Sequence, residues 1–238
     1  MSRLLLFDFD STLVTIEGLD VLASKLPPDG HAAIEALTEA AMGGTLDFAA
    51  SFSKRLEILR PSRADCDWVA EQYMAAISPG AVDAIRELAR DGWTFAVVSG
   101  GLRASIHPIA RHLFAGVNFE GVFANDVDFE NDSGNAEEAS AGAFGGVAAG
   151  SMVSLGLTKS SVADDFRRRG GFSTICLLGD GANDAEAAAS VDIFLCYTGV
   201  ARRPAVVARA AAEVTSFADL AQTLRGLSAP DPMKTSRT

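Results

Sequence analysis

The sequence is poor in cysteine and histidine, and this shortage argues against several kinds of site. Its three cysteines, Cys66, Cys176 and Cys196, lack metal-ligand spacing, and the last two lie in apolar runs typical of buried positions. We therefore expect free thiols in a reducing compartment. The three histidines also fit no ligand pattern, and the chain has no Ser/His/Asp triad pattern, dinucleotide fingerprint or Walker loop.

Positive charge and long apolar runs are scarce as well. Twenty Lys and Arg face 31 Asp and Glu, so the formal net charge is −11. A nucleic-acid partner is not expected, because such partners require a basic surface. No run approaches the roughly 20 apolar residues of a membrane helix, and the first run, residues 4–7, is too short for a signal peptide. These features predict a cytoplasmic protein with no membrane partner.

The apolar residues that are present form four short, continuous runs. They lie at residues 4–7, 95–98, 175–178 and 193–196. Continuous rather than alternating runs are typical of parallel strands that helices cover on both faces. Helical patterns separate them, so we predict an α/β fold: an open, doubly wound, mostly parallel Rossmann-like sheet.

Residues 18–77 interrupt this alternation with helical patterns and no convincing strand. Apolar residues recur at helical spacing in three stretches, residues 31–42, 47–59 and 63–77. We predict a small helical cap domain at 18–77, inserted after the first strand. Residues 1–17 and 78–227 would then form the α/β core.

Three later stretches have weaker patterns. Residues 122–129 resemble a strand, and residues 131–150, rich in Gly, Ala, Ser and Glu, resemble a loop. Residues 228–238 are polar and contain two prolines, so we expect a flexible tail.

Two acidic turns follow predicted strands. Asp8 and Asp10 follow the first run, and Asp180 and Asp184 follow the third, between Gly179 and the next helix. Ligands bind at the carboxyl ends of strands in such sheets. Four neighbouring carboxylates repel one another, and a bound Mg²⁺ would relieve that repulsion because it prefers oxygen ligands. The alternatives are an ordinary strand-ending turn at Asp8 and Asp10, and acids that complement a helix dipole at Asp180 and Asp184.

Other candidate residues carry weaker signals when taken singly. Ser99-Gly100-Gly101 ends another strand, where a hydroxyl and exposed amides can bind phosphate, although glycine turns are common. Lys159 could offset phosphate charge, but most lysines lie on solvated surfaces. Arg55 falls in an apolar helical stripe, where it either extends to water, which its spacing favours, or binds a carboxylate of the substrate.

Taken in order, these motifs resemble those of the haloacid dehalogenase superfamily of phosphotransferases. The motifs that carry the resemblance are Asp-Phe-Asp-Ser-Thr at 8–12, Ser-Gly-Gly at 99–101, Lys159, and Gly-Asp-Gly-Ala-Asn-Asp at 179–184. Within the superfamily the chain is most similar to the phosphoserine phosphatase family, because Glu17 and the pattern Met42, Phe48, Lys54 and Arg55 match that family's substrate-binding positions.

The resemblance implies a role for each residue in the phosphate half of the site. Asp8 would be the nucleophile that forms an aspartyl-phosphate, and Asp10 the proton donor and acceptor. Mg²⁺ would be held by Asp8, the Asp10 backbone carbonyl and Asp180. Asp184 would support the metal without binding it directly, and Asn183 would contact the phosphate region. Phosphate oxygens would be held by Ser99, Gly100 and Lys159.

The resemblance also implies a substrate. Glu17 would bind the ammonium group and Arg55 the carboxylate of O-phosphoserine, a small phosphomonoester, which the enzyme would hydrolyse in serine biosynthesis. Three alternatives stay open. The protein could be an enzyme of the same superfamily that transfers phosphate to another alcohol such as homoserine or acts on another small phosphomonoester. It could instead be a receiver domain phosphorylated on aspartate, or an inactive relative. The sequence does not decide between monomer and homodimer.

Overall fold

A parallel six-stranded sheet forms the centre of the computed structural model, which describes residues 2–42, 45–130 and 142–228. Across the sheet, the strands are β3 (Phe119–Asn125), β2 (Trp93–Leu102), β1 (Ser2–Phe7), β6 (Phe172–Gly179), β7 (Ile193–Tyr197) and β8 (Ala212–Val214). Every neighbouring pair is parallel. The predicted α/β sheet is therefore confirmed, and each of the four predicted runs lies within one of these strands.

The central strand β1 explains why its sequence is apolar without alternation. Leu5 and Phe7 belong to one hydrophobic core, and Leu4 and Leu6 belong to a second core. Because successive side chains of a strand point to opposite faces, both faces of the sheet must be covered.

Helices from different parts of the chain cover the two faces. They are α5 (Ala81–Arg90), α6 (Arg103–Leu113), α7 (Lys159–Arg169), α8 (Ala182–Glu186), α9 (Pro204–Val207) and α10 (Phe217–Ser228). Apolar residues of α5, α6 and α10 contribute to the core that contains Leu5, and those of α7, α8 and α9 contribute to the core that contains Leu4. The sheet is thus wound on both sides.

Four helices occupy the segment between β1 and α5, which we call the helical insertion. They are α1 (Gly18–Ala23), α2 (Pro28–Met42), α3 (Phe48–Leu59) and α4 (Arg63–Ala75). The Asp47 carboxylate caps α3 by accepting hydrogen bonds from the amides of Ala49 and Ala50 at 3.0 and 3.2 Å. Ser62 and Asp65 form a reciprocal capping box at the start of α4. The helices predicted in this segment are present, and its status as a separate cap domain stays a prediction.

The expected single strand at 122–129 is wrong. β3 ends at Asn125, and β4 (Val127–Phe129) pairs antiparallel with β5 (Phe144–Val147) in a separate two-stranded sheet. The chain turns at Asp126, whose carboxylate accepts a hydrogen bond from Arg103 Nε at 2.9 Å. β5 also replaces part of the loop expected at 131–150.

Some predictions fall outside the described residues. They concern residues 131–141, the tail beyond Ser228, and the side chains of Met42 and Phe48. Ser228 itself ends α10 rather than beginning a tail. Within the described ranges, every helix is too short or too polar to span a bilayer.

Candidate active site

The two acidic turns meet at the middle of the sheet. β1 and β6 are hydrogen-bonded neighbours with Phe7 opposite Leu178, and the amide of Asp8 donates to the Leu178 carbonyl at 2.9 Å. From β1 the chain continues to β2 on one side of the sheet, and from β6 it continues to β7 on the other side. At such a switch point the connections that follow the two strands lie on opposite faces of the sheet and leave a crevice in which ligands bind. Asp8 and Asp180 both lie at the mouth of this crevice.

Three carboxylates and one amine are buried together there. Asp8, Asp180 and Asp184 each offer an oxygen within 4.8 Å of the other two. Lys159 Nζ, at the start of α7, lies 2.6 Å from Asp8 Oδ1 and 2.5 Å from Asp184 Oδ1. We call these four residues the acidic cluster; no more than 7% of any of them is exposed.

Electrostatics in the acidic cluster favour an additional cation. Burial, with the charge of Asp8, raises the pKa of Asp180 to about 8 and that of Asp184 to about 7. Burial lowers the pKa of Lys159, but the charges of Asp184 and Asp8 outweigh that effect and raise it above its usual value. Three buried carboxylates so close together fit a divalent metal, which stabilises the charged form of its ligands. Asp184 offers an oxygen to the same group as Asp8 and Asp180. The role that the resemblance implies for it, supporting the metal without binding it directly, stays a prediction.

Asp10 is held by two groups of the helical insertion. Its Oδ1 accepts hydrogen bonds from the Tyr73 hydroxyl at 2.6 Å and from the amide of Gly18 at 3.1 Å. Burial and then the charge of Glu17 raise the pKa of Asp10 well above its usual value, although the bond from Tyr73 lowers it. A carboxyl group that holds its proton more firmly than usual is suited to acid and base chemistry.

Ser99–Gly101 lie in the last residues of β2 rather than after it, and polar side chains hold this segment. Buried Ser99 accepts a hydrogen bond from the Gly101 amide at 3.0 Å, and Asn125 Nδ2 donates to the Gly100 carbonyl at 2.8 Å. Asn125 Oδ1 in turn accepts from the Ser151 hydroxyl at 2.9 Å. The sequence analysis did not single out Asn125, although a polar residue directly after the apolar end of a strand was an available signal.

Glu17 directly precedes α1, and Arg55 lies on α3 of the helical insertion. Exposed Glu17 accepts a hydrogen bond from the Ser11 hydroxyl at 2.5 Å. Half-buried Arg55 has a buried Nε with no hydrogen-bond partner among the described residues. Burial lowers the Arg55 pKa, while the charges of Asp20 and Glu17 raise it. Asn183 is exposed at the start of α8.

Arg203 is a further cation that the sequence analysis missed. It directly precedes α9, and its guanidinium pairs with the Asp180 carboxylate and donates to the Asp180 carbonyl at 3.3 Å. The available signal was the sequence Arg202-Arg203-Pro204 shortly after an apolar strand. Together with Lys159, this residue supplies local positive charge in a protein of net charge −11.

The chain is similar to known proteins over most of its length. The sequence model of the haloacid dehalogenase-like hydrolase family matches residues 5–189. A chloroplastic phosphoserine phosphatase of Arabidopsis thaliana is 32% identical over 220 residues, which are 92% of this chain and 70% of the relative.

Two solved structures extend the similarity to three dimensions. A phosphoserine phosphohydrolase-like protein from Francisella tularensis has a TM-score of 0.78 at 24% identity, covers 94% of this chain and 100% of that one, and supports the fold alone. A phospho-aspartyl intermediate analogue of phosphoserine phosphatase has a TM-score of 0.72 at 25% identity, with 94% and 98% covered.

Proposed function

Because the chain belongs to the haloacid dehalogenase-like hydrolase family, we propose that it is a Mg²⁺-dependent phosphatase that hydrolyses O-phosphoserine to serine and phosphate. The predicted superfamily is thereby confirmed, and an enzyme of this family is not a receiver domain. The observation that carries the proposal is the buried carboxylate of Asp8, which ends β1 beside Lys159, Asp180 and Asp184. The names of the similar proteins support phosphoserine as the substrate.

The first half of the reaction transfers the phosphoryl group to the protein. An oxygen of Asp8 attacks phosphorus, the bond from phosphorus to the serine oxygen breaks, and Asp10 gives that oxygen a proton. Lys159, the Ser99 hydroxyl and the Gly100 amide bind the phosphate oxygens and offset the charge that they gain. The products are serine and an aspartyl-phosphate on Asp8.

The second half returns Asp8 to its starting state. Asp10, now ionised, accepts a proton from water as the water oxygen attacks phosphorus. The bond from phosphorus to Asp8 then breaks, which releases phosphate and restores both carboxyl groups. One residue thus acts first as acid and then as base.

The donor set fits a divalent metal. Asp8, the Asp10 backbone carbonyl and Asp180 would hold Mg²⁺, with Asp184 beside them, and Asn183 would contact the phosphate region. When bound, Mg²⁺ supplies positive charge to the phosphate oxygens and keeps the surrounding carboxylates ionised.

The amino-acid part of the substrate would lie against the helical insertion. Glu17 would bind the ammonium group and Arg55 the carboxylate, for which the unpartnered Nε of Arg55 is a suitable donor. The helical insertion would act as a cap that opens for substrate and closes against bulk water. We assign the activity to serine biosynthesis in the cytoplasm.

A phosphate-release assay tests the proposal. L- and D-phosphoserine, p-nitrophenyl phosphate and other phosphomonoesters are compared with and without a chelator, which should abolish the release of phosphate. Asp8→Asn should lower kcat below detection while its far-UV circular dichroism spectrum stays that of the folded protein, whereas the control Asp83→Asn, at an exposed position on α5, should leave kcat unchanged. Retained activity in Asp8→Asn would contradict the nucleophile assignment.

The same assay distinguishes the remaining alternatives. Equal rates on phosphoserine and generic phosphomonoesters would indicate a different substrate and would remove the assigned roles of Glu17 and Arg55. Phosphorylated homoserine among the products, when homoserine is added, would indicate a phosphotransferase. No turnover of any substrate would indicate an inactive relative.

A further inference from the structure

We propose that Tyr73 is a positioning residue that turns one oxygen of Asp10 toward the substrate. This inference rests on the proposed function, because it assigns a part in the proton transfer by Asp10. The Tyr73 hydroxyl and the Gly18 amide both donate to Oδ1 of Asp10, at 2.6 and 3.1 Å. These two bonds occupy Oδ1 and fix the plane of the carboxyl group, which leaves Oδ2 for chemistry.

The other oxygen lies near Ser99–Gly101 at the end of β2, where we assign the substrate phosphate. Oδ2 of Asp10 is 2.9 Å from the point that a Cβ on Gly101 would occupy, and Ser99 Oγ is 3.3 Å from the same point. A side chain at position 101 would therefore crowd both oxygens. Glycine there lets Asp10 Oδ2 approach the end of β2, to which we assign the substrate phosphate.

Tyr73 is itself held rigidly enough to set this orientation. Its side chain is 1% exposed, and its ring packs edge-on against Phe9 with centroids 4.9 Å apart. A Cβ at Gly18 would overlap the Tyr73 hydroxyl, so glycine at this position admits the hydroxyl to the carboxylate. The hydroxyl comes from α4 of the helical insertion, 63 residues along the chain from Asp10.

The chemistry predicts an effect that depends on the leaving group. The alcohol of serine is a poor leaving group and needs a proton from Asp10, whereas p-nitrophenolate leaves without one. The constant kcat/KM covers binding and the first phosphoryl transfer, up to departure of the alcohol, so it isolates this step from the later attack of water. General acid catalysis is worth about 10²- to 10⁴-fold, and loss of alignment should remove part of that gain.

The test compares kcat/KM of Tyr73→Phe with that of the wild type on phosphoserine and on p-nitrophenyl phosphate. We expect a loss of about tenfold or more on phosphoserine and a change of less than about twofold on p-nitrophenyl phosphate. Tyr197→Phe, at the other buried tyrosine of the chain, is the matched control and should change neither value. An equal loss on both substrates, or no loss on phosphoserine, would overturn the inference.

A double variant tests whether Tyr73 acts through Asp10. In an Asp10→Asn background, Tyr73→Phe should cause no further loss of kcat/KM on phosphoserine, because the proton donor is already absent. An undiminished loss would assign Tyr73 a role unrelated to Asp10. Failure of the proposed function gives a different result, since the wild-type protein would then release no phosphate from phosphoserine.

Discussion

At the scale of single residues, Arg55 tests how the enzyme distinguishes its substrate. Arg55→Ala should raise KM for phosphoserine by about 10- to 100-fold, because a hydrogen bond to a charged group contributes about 1.5–3 kcal/mol. The KM for p-nitrophenyl phosphate, which has no carboxylate, should not change. Glu57→Ala is the matched control, because Glu57 is exposed on the same helix. A parallel rise in KM for both substrates would mean that Arg55 supports the fold rather than binding the carboxylate.

Lys159 is the residue whose loss should most destabilise the acidic cluster. Its amine contacts the buried carboxylates of Asp8 and Asp184 at 2.6 and 2.5 Å. Removing one partner of a buried ion pair costs about 3–5 kcal/mol, because the remaining charge has no compensation. Urea unfolding of metal-free Lys159→Met at pH 8 should show a loss of this size, and Lys54→Met should show almost none. A loss below about 1 kcal/mol would mean that the carboxylates reorganise or become protonated without cost.

The sequence indicated residues that follow strands but not the residues that reach them from elsewhere. Asp8 and Asp180 each directly follow a strand, so the local sequence pattern was enough to locate them. Tyr73 lies in the stretch 63–77, whose apolar helical spacing predicts a packed helix and gives no sign of a contact with Asp10. Arg203 and Asp180 are 23 residues apart, and only the packing of the loop before α9 brings them together. Contacts of this kind depend on tertiary structure, which no local pattern contains.

At the scale of elements, the start of α7 positions Lys159. Thr158 caps this helix by accepting a hydrogen bond from the Ser161 amide at 3.2 Å, and Lys159 is the first helical residue. Thr158→Ala should lower the free energy of unfolding by about 1 kcal/mol and reduce kcat, because fraying moves the Lys159 amine. Ser160→Ala, in the same turn but outside the cap, should do neither. Equal effects of the two substitutions in urea unfolding and activity assays would contradict the capping role.

Prediction of the elements succeeded where a single segment determines its own structure. Runs buried on both faces identified the strands, and Asp47 with the apolar stripe after it identified α3. The two-stranded sheet of β4 and β5 was missed, because β4 has three residues and its partner begins 15 residues after it ends. Antiparallel pairing at that distance depends on the fold rather than on the pattern of either strand.

At the scale of the whole molecule, the buried carboxylates make the stability of the metal-free protein depend on pH. Their folded-state pKa values, about 8 for Asp180 and about 7 for Asp184, lie above the usual unfolded value of about 3.9. The folded state therefore binds more protons than the unfolded chain, and protons favour folding. With both groups counted, stability should fall by about 5 kcal/mol as pH rises from about 5.5 to 8.5.

Denaturant unfolding across this pH range measures the effect. Saturating Mg²⁺ should remove most of the fall, because the ion favours the ionised carboxylates. Asp180→Asn, which deletes the group with the higher pKa, should make the metal-free slope shallower. A stability that rises with pH in the metal-free protein would contradict these pKa shifts.

The central pairing of β1 with β6 has a consequence for how the protein is made. Asp8 leaves the ribosome long before Asp180, and at about 5–20 residues per second the interval between them is roughly 10 to 30 seconds. During that time the edge of β1 that will receive β6 has no partner, and Asp8, the proposed nucleophile, lacks the groups that would activate it. The nascent chain should therefore stay catalytically silent until most of it has been translated.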